Sequence, residues 1–141
     1  MNQHDPHHLQ RFIEAQQPVY PAVREELRAG SKTSHWMWFI FPQIRGLGSS
    51  AMAQRYAISS LEEARAYLAH PLLGARLREC SALVAAVEER SARRIFGAPD
   101  DMKFRSSMTL FAHAGADNAV FLECLRKYYG GAEDEATLAR L

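Results

Sequence analysis

The chain lacks paired cysteines, a long hydrophobic run, an excess of charge of one sign, and every common catalytic or nucleotide-binding motif. Its two cysteines, Cys80 and Cys124, are far apart and outside any C-x-x-C pair, which excludes a zinc or redox centre of that type. Both fall among apolar residues of predicted helices and are expected to be reduced core thiols. The longest apolar run, Trp36 to Phe41, is far shorter than the roughly 20 residues that span a bilayer. No basic segment followed by an apolar stretch opens the chain, so no secretory signal is expected. These absences predict a soluble, cytoplasmic protein with no membrane partner. Seventeen Lys and Arg against sixteen Asp and Glu leave a formal charge of +1, which argues against nucleic acid as a partner. No H-E-x-x-H, G-x-S-x-G or G-x-G-x-x-G occurs. His4, His7 and His8 form a metal-capable cluster near the N-terminus, read as incidental, and no metal site is expected.

What the sequence does have is helix signal. Its 141 residues, 48% of them apolar, suit one domain that buries roughly 68% of its unfolded surface. Asp5-Pro6 reads as a cap and first helical position, with Leu9, Phe12 and Ile13 on one face. Pro18 interrupts, and Val19, Val23 and Leu27 then repeat every four residues up to Gly30. Ser60 with Glu63 forms a capping box for a helix that Pro71 stops at His70, whose imidazole is expected to cap carbonyls there. Leu73, Leu77, Cys80, Val84 and Val87 form the apolar stripe of a packed helix. Ser91 caps a short helix ending at Phe96-Gly97, and another begins at Pro99 or Asp100. Phe121, Leu125, Tyr128 and Tyr129 mark a further helix closed by Gly130-Gly131, and Asp134 caps a final turn. The prediction is an all-α, single-domain multi-helix bundle of about seven to eight helices over residues 1–141, with residues 1–4 flexible. The longest loop is Pro42 to Ser50.

Trp36-Met37-Trp38-Phe39-Ile40-Phe41 has β-propensity by composition, but no other segment offers a partner strand. It is therefore expected to be a short helix, capped by Thr33 or Ser34 and ended by Pro42, at the centre of the fold.

Two constellations suggest a site. His35 precedes two tryptophans whose indole N–H groups need partners when buried, an arrangement that suits a pocket for a flat ring. The structural alternative is ordinary packing of Trp36 and Trp38 with His35 bonded to a carbonyl. On the helix starting near Asp100, Lys103, Ser106 and Ser107 fall within the apolar arc of Phe104, Met108, Leu110 and Phe111. Lys103 also sits in the first turn, where the helix dipole disfavours a cation. An anion held by the lysine, the hydroxyls and free N–H groups would account for this placement. So would a salt bridge from Lys103 to Asp100 or Asp101. Gly30-Ser31-Lys32-Thr33-Ser34 imitates a phosphate loop but lacks the glycine before the lysine and the preceding strand. Its hydroxyls and lysine remain a weaker anion contact.

Ser34 through Ile44 with Gly46-Leu47-Gly48, Met52 through Ile58, Ala69 through Gly74, Phe96-Gly97 and Lys103 through Phe111 together resemble the bacterial family known as domain of unknown function 1810. The resemblance spans nearly the whole chain and implies an all-helical, armadillo-like fold without an assigned activity. Some members carry a calpastatin label, but this chain has nothing of that long, disordered polar inhibitor.

The resulting expectation is a protein that binds a small anionic, ring-bearing ligand of nucleotide type. Its site residues are His35, Trp36, Trp38, Gln43, Tyr56, Lys103, Ser106 and Ser107. Were the protein an enzyme, His35 is the best-placed proton shuttle and Lys103 the electrostatic stabiliser, although no nucleophile with an adjacent base is visible. The alternative is a helical protein-interaction module with no catalytic activity. The sequence names no cofactor and fixes no oligomeric state.

Overall fold

A computed structural model describes residues 4–141; apart from His4, the flexible end expected over residues 1–4 lies outside the described residues. Among the described residues there are ten helices and no strand. They are α1 (Gln10–Gln16), α2 (Tyr20–Ala29), α3 (Met37–Ile40), α4 (Ala51–Arg55), α5 (Leu61–Ala69), α6 (Pro71–Ala85), α7 (Ala92–Phe96), α8 (Asp100–Ala112), α9 (Ala119–Tyr129) and α10 (Glu135–Leu138). The fold is all-α, as expected, with more and shorter helices than the sequence suggested. Five-residue α4 has no apolar periodicity to announce it. None of these helices is long and apolar enough to cross a membrane.

Two helices organise the rest. α6 packs against α2, α5 and α9, whereas α8 packs against α5, α7, α9 and α10. The predicted α6 stripe is buried at Leu73, Leu77, Cys80 and Val84, but the helix ends before Val87. Both cysteines are free and buried, and desolvation pushes each thiol up to about 12. At the α5–α6 corner, a Cβ on Gly74 would lie 2.1 Å from the Leu68 carbonyl oxygen, so only glycine allows this approach. His70 caps this corner differently from expectation. Its Nδ1 accepts hydrogen bonds from the N–H groups of Leu72 and Leu73 at the start of α6, rather than meeting carbonyls at the end of α5.

Every residue of α8 from Ser106 to Ala112 is buried. The helix is enclosed on nearly all sides, so its polar residues occupy no break in a one-sided apolar face. Thr109 and Ser106 donate to the carbonyls of Arg105 and Met102 in their own helix. Phe104 stacks on Phe96 at 4.7 Å between ring centroids and meets Phe41 edge-on at 4.9 Å, joining α3, α7 and α8 in one aromatic core.

Other caps also differ from expectation. Asp5 accepts from the N–H groups of Leu9 and Gln10, but His8 has φ 53° and α1 begins only at Gln10. Burial raises the Asp5 pKa, but hydrogen bonds from Gln10 and Leu9 and nearby positive charge outweigh it, leaving the carboxyl below its ordinary range. Ser60 caps α5, but Glu63 returns its bond to the backbone N–H of Ser59 and pairs with Arg11 at 3.0 Å. Ser91 and Asp134 cap α7 and α10 as predicted.

The tryptophan segment forms a single helical turn at the centre of the core, and neither Thr33 nor Ser34 caps it. The Glu26 carboxylate on α2 holds its amino end, accepting from Thr33 N–H at 2.9 Å, Ser34 N–H at 3.1 Å and Trp36 Nε1 at 2.9 Å. It also accepts the Ser34 hydroxyl at 2.5 Å. At the other end, Gln16 donates to the Phe39 carbonyl and the Tyr67 hydroxyl. Burial raises the Glu26 pKa, but these donors outweigh it and hold the carboxyl at about 2. Glu26→Gln is expected to destabilise the protein by about 1.5–3 kcal/mol in urea unfolding at pH 7. The folded-state pKa lies below the ordinary value of 4.5, so this stabilisation is complete above pH 4.5 and is lost as pH falls through about 2. The difference between variant and wild type is expected to shrink across that window, and a difference unchanged at pH 2 would contradict the role given to Glu26.

Candidate functional site

The first turn of α8 and the turn after α2 meet at Asp100. Lys32 Nζ lies 2.9 Å from Asp100 Oδ2, and Lys103 Nζ lies 3.4 Å from Oδ1. Two ammonium groups therefore share one carboxylate, leaving an excess of positive charge within the triad. Each lysine also lies over an indole, Lys32 over Trp36 at 5.1 Å and Lys103 over Trp38 at 5.7 Å. The lysines differ in exposure: the Lys32 side chain is only 8% exposed, that of Lys103 28%. Asp101, next in sequence, belongs to the other side of α8, where Tyr129 donates to its carbonyl.

Lys103 forms part of the wall of an open groove of about 470 Å³. The groove runs between α8, the 43–50 loop and the turn before α10. Gln43, Ser49, Ser50 and Lys103 provide polar groups, and Leu47 and Met102 provide apolar surface. Asp134 also lines it and brings a negative charge to that wall, its Oδ2 accepting from Ser106 Oγ, Thr137 N–H and Thr137 Oγ1. The loop is fixed at its base by Ile58, which donates to the Gln43 carbonyl and accepts from Arg45 N–H, each at 2.8 Å. Ser50 turns the chain into α4 by accepting from Ala53 N–H.

The eight predicted residues are distributed unevenly around this groove. Gln43, Lys103 and Ser106 line it. Trp38 and Tyr56, with Gln43, line a narrow adjoining hollow of about 10 Å³, too small for a ring. Trp36 is 1% exposed, with its indole N–H committed to Glu26. Ser107 is buried without a hydrogen-bond partner, facing the core. His35 is exposed and lies outside the groove wall, so the imidazole and the Lys103 ammonium do not share a hollow. The Ser106 proton is committed to Asp134 and to Met102 of its own helix.

Three of the free N–H groups expected at the start of α8 are also occupied. Gly97 and Pro99 carbonyls accept from Asp101, Met102 and Lys103 N–H. At Thr33 and Ser34, the anion suited to the turn is the chain's own Glu26. Sequence reasoning missed Glu26, Leu47, Ser49, Ser50 and Met102. The loop length at residues 42–50 was the available pointer to the serines, because long loops on a rigid scaffold often carry function. Among the described residues, no group of three metal-ligating side chains is placed to hold an ion.

An ammonium group, a carboxamide and two hydroxyls border an apolar strip, and the Ser106 hydroxyl beside them donates to the Asp134 carboxylate.

A family model described as "Protein of unknown function (DUF1810)" matches residues 6–141. The crystal structure of the conserved hypothetical protein Rv1873 from Mycobacterium tuberculosis, at 1.38 Å, is similar to this chain, with 63% sequence identity. The match covers 96% of each chain with a TM-score of 0.95. No curated protein matches.

The two lysines are expected to respond differently to mutation. Lys103→Ala removes a long, partly exposed ion pair and should cost about 0–1 kcal/mol in thermal unfolding. Asp100→Asn removes the carboxylate from both lysines, leaves the mostly buried Lys32 unpaired and should cost roughly 3 kcal/mol, most of it from Lys32. Equal losses would show that Lys103 is held in place for folding.

Proposed function

Because the chain belongs to the DUF1810 family, whose description assigns no activity, we propose from the groove itself that the protein binds a small anionic, ring-bearing compound of nucleotide type. The observation that carries this reading is the sharing of Asp100 between Lys32 and Lys103. Lys32 makes the shorter contact, so Lys103 retains donor capacity at the groove wall. A phosphate or carboxylate placed there would meet the ammonium group. The ring would then lie along Leu47 and Met102, with Gln43, Ser49 and Ser50 available for hydrogen bonds. The volume of about 470 Å³ falls within the usual range for small-molecule sites.

Trp38 contributes by holding Lys103 through its ring face, and His35 has no part in the contact. A second reading, a protein-interaction groove, draws support from Met102, which is 45% exposed on the same wall.

Adenosine 5′-monophosphate is a suitable probe. At about one hundred times its dissociation constant it should stabilise the protein by roughly 2.7 kcal/mol in thermal unfolding. Lys103→Ala should abolish that gain with little change in the unliganded melting temperature, whereas His35→Ala should preserve it. An equal gain in the Lys103 variant would remove the basis for this reading.

A further inference from the structure

Two further hollows adjoin the groove, and Gly48 lines all three. One is the narrow space behind Gly48 against Trp38 and Tyr56. The other, of about 410 Å³, is lined by Arg45, Gly46, Gly48, Gln54 and Ala57. Its charge is positive. Arg45 is exposed, and among the described residues neither Arg45 nor Arg140 forms an ion pair with a carboxylate. Arg140 lies across Gly46, where a Cβ would stand 2.7 Å from its Nε and where φ is 98°. Glycine at this position lets the guanidinium approach the edge of the hollow. Arg140 Nη1 donates to the Ala136 carbonyl, and Nη2 makes a long contact of 3.4 Å with the Gly46 carbonyl. Two guanidinium groups are thus associated with Gly46 and its hollow, while the Lys103 ammonium lines the groove.

We propose that the ligand carries a second acidic group, which crosses the Gly46–Gly48 rim and is held beside Arg45 and Arg140. The class of compound is then a doubly anionic one, such as a nucleoside bisphosphate. This inference rests on the reading of the Lys103 groove given above. On the wall of the open groove, Gln43, Gly48 and Ala53 form an uncharged stretch beside Lys103, against which the neutral middle of such a molecule would lie. Arginine favours phosphate because its planar donors can meet two oxygens at once.

The test compares adenosine 5′-monophosphate with adenosine 3′,5′-bisphosphate by titration calorimetry on the full chain. The bisphosphate is expected to bind roughly tenfold more tightly or better. Arg45→Ala should remove that advantage while leaving the monophosphate affinity unchanged, and Arg45→Lys should restore part of it. The Arg45 side chain is exposed, so thermal melting should show both variants folded. If the monophosphate binds and the bisphosphate binds no better, or if Arg45→Ala keeps the full advantage, the second anion site is overturned and the groove reading stands. If neither compound binds, the groove reading itself fails and takes the second site with it.

Discussion

The Glu26 carboxylate is the constraint on which the centre of this molecule depends. Six consecutive large apolar residues would bury readily in many orientations, because hydrophobic burial has no direction. Direction comes from one acidic side chain on α2, which collects two backbone N–H groups, a hydroxyl and an indole N–H at the entrance to the segment. With Trp36 oriented in this way, Phe41 reaches Phe104 and Phe96, and Trp38 reaches Lys103. Gln16 completes the restraint at the far end, binding the Phe39 carbonyl within a buried network that also holds Tyr67. The core of the fold is therefore apolar in bulk but positioned by hydrogen bonds from neighbouring helices.

The overall fold was legible in the sequence because its signals are local. The α6 stripe, the glycine ends of α2 and α9, and the caps at Ser60, Ser91 and Asp134 each reflect interactions within a few residues of chain. The site was legible only in part, because its bonds are long-range. That Lys103 sits where a cation is disfavoured could be read from its place in the first turn, and Asp100 was among its foreseeable partners. That Lys32 would claim the same carboxylate requires the fold. Ser107 misled for a related reason: helical spacing assigns an angle around the helix axis but not what lies opposite, and α8 has protein on almost every side. The Thr33–Ser34 turn looked ready for an anion and had one, supplied from within the chain by Glu26, which also takes the indole N–H of Trp36.

The candidate site divides its work between rigid and irregular structure. Lys103 stands on a helix buried along most of its length and is steadied by an indole and a carboxylate. The opposite wall is the 43–50 loop, held at its base by the Ile44–Ile58 bridge and at Gly46 by Arg140. A charge on a buried helix thus faces a loop of irregular backbone, and on the reading proposed above the helix would hold the anionic group and the loop would meet the rest of the ligand.

The corner at Gly74 bears on how the domain can move. With the Leu68 carbonyl occupying the space where a side chain would begin, and the His70 ring bonded to the first N–H groups of α6, the α5–α6 angle has no slack to give. A change of shape at the groove would have to be taken up by the turns around residues 43–50 and 130–134. The α5–α6 corner would then keep its angle while those turns moved.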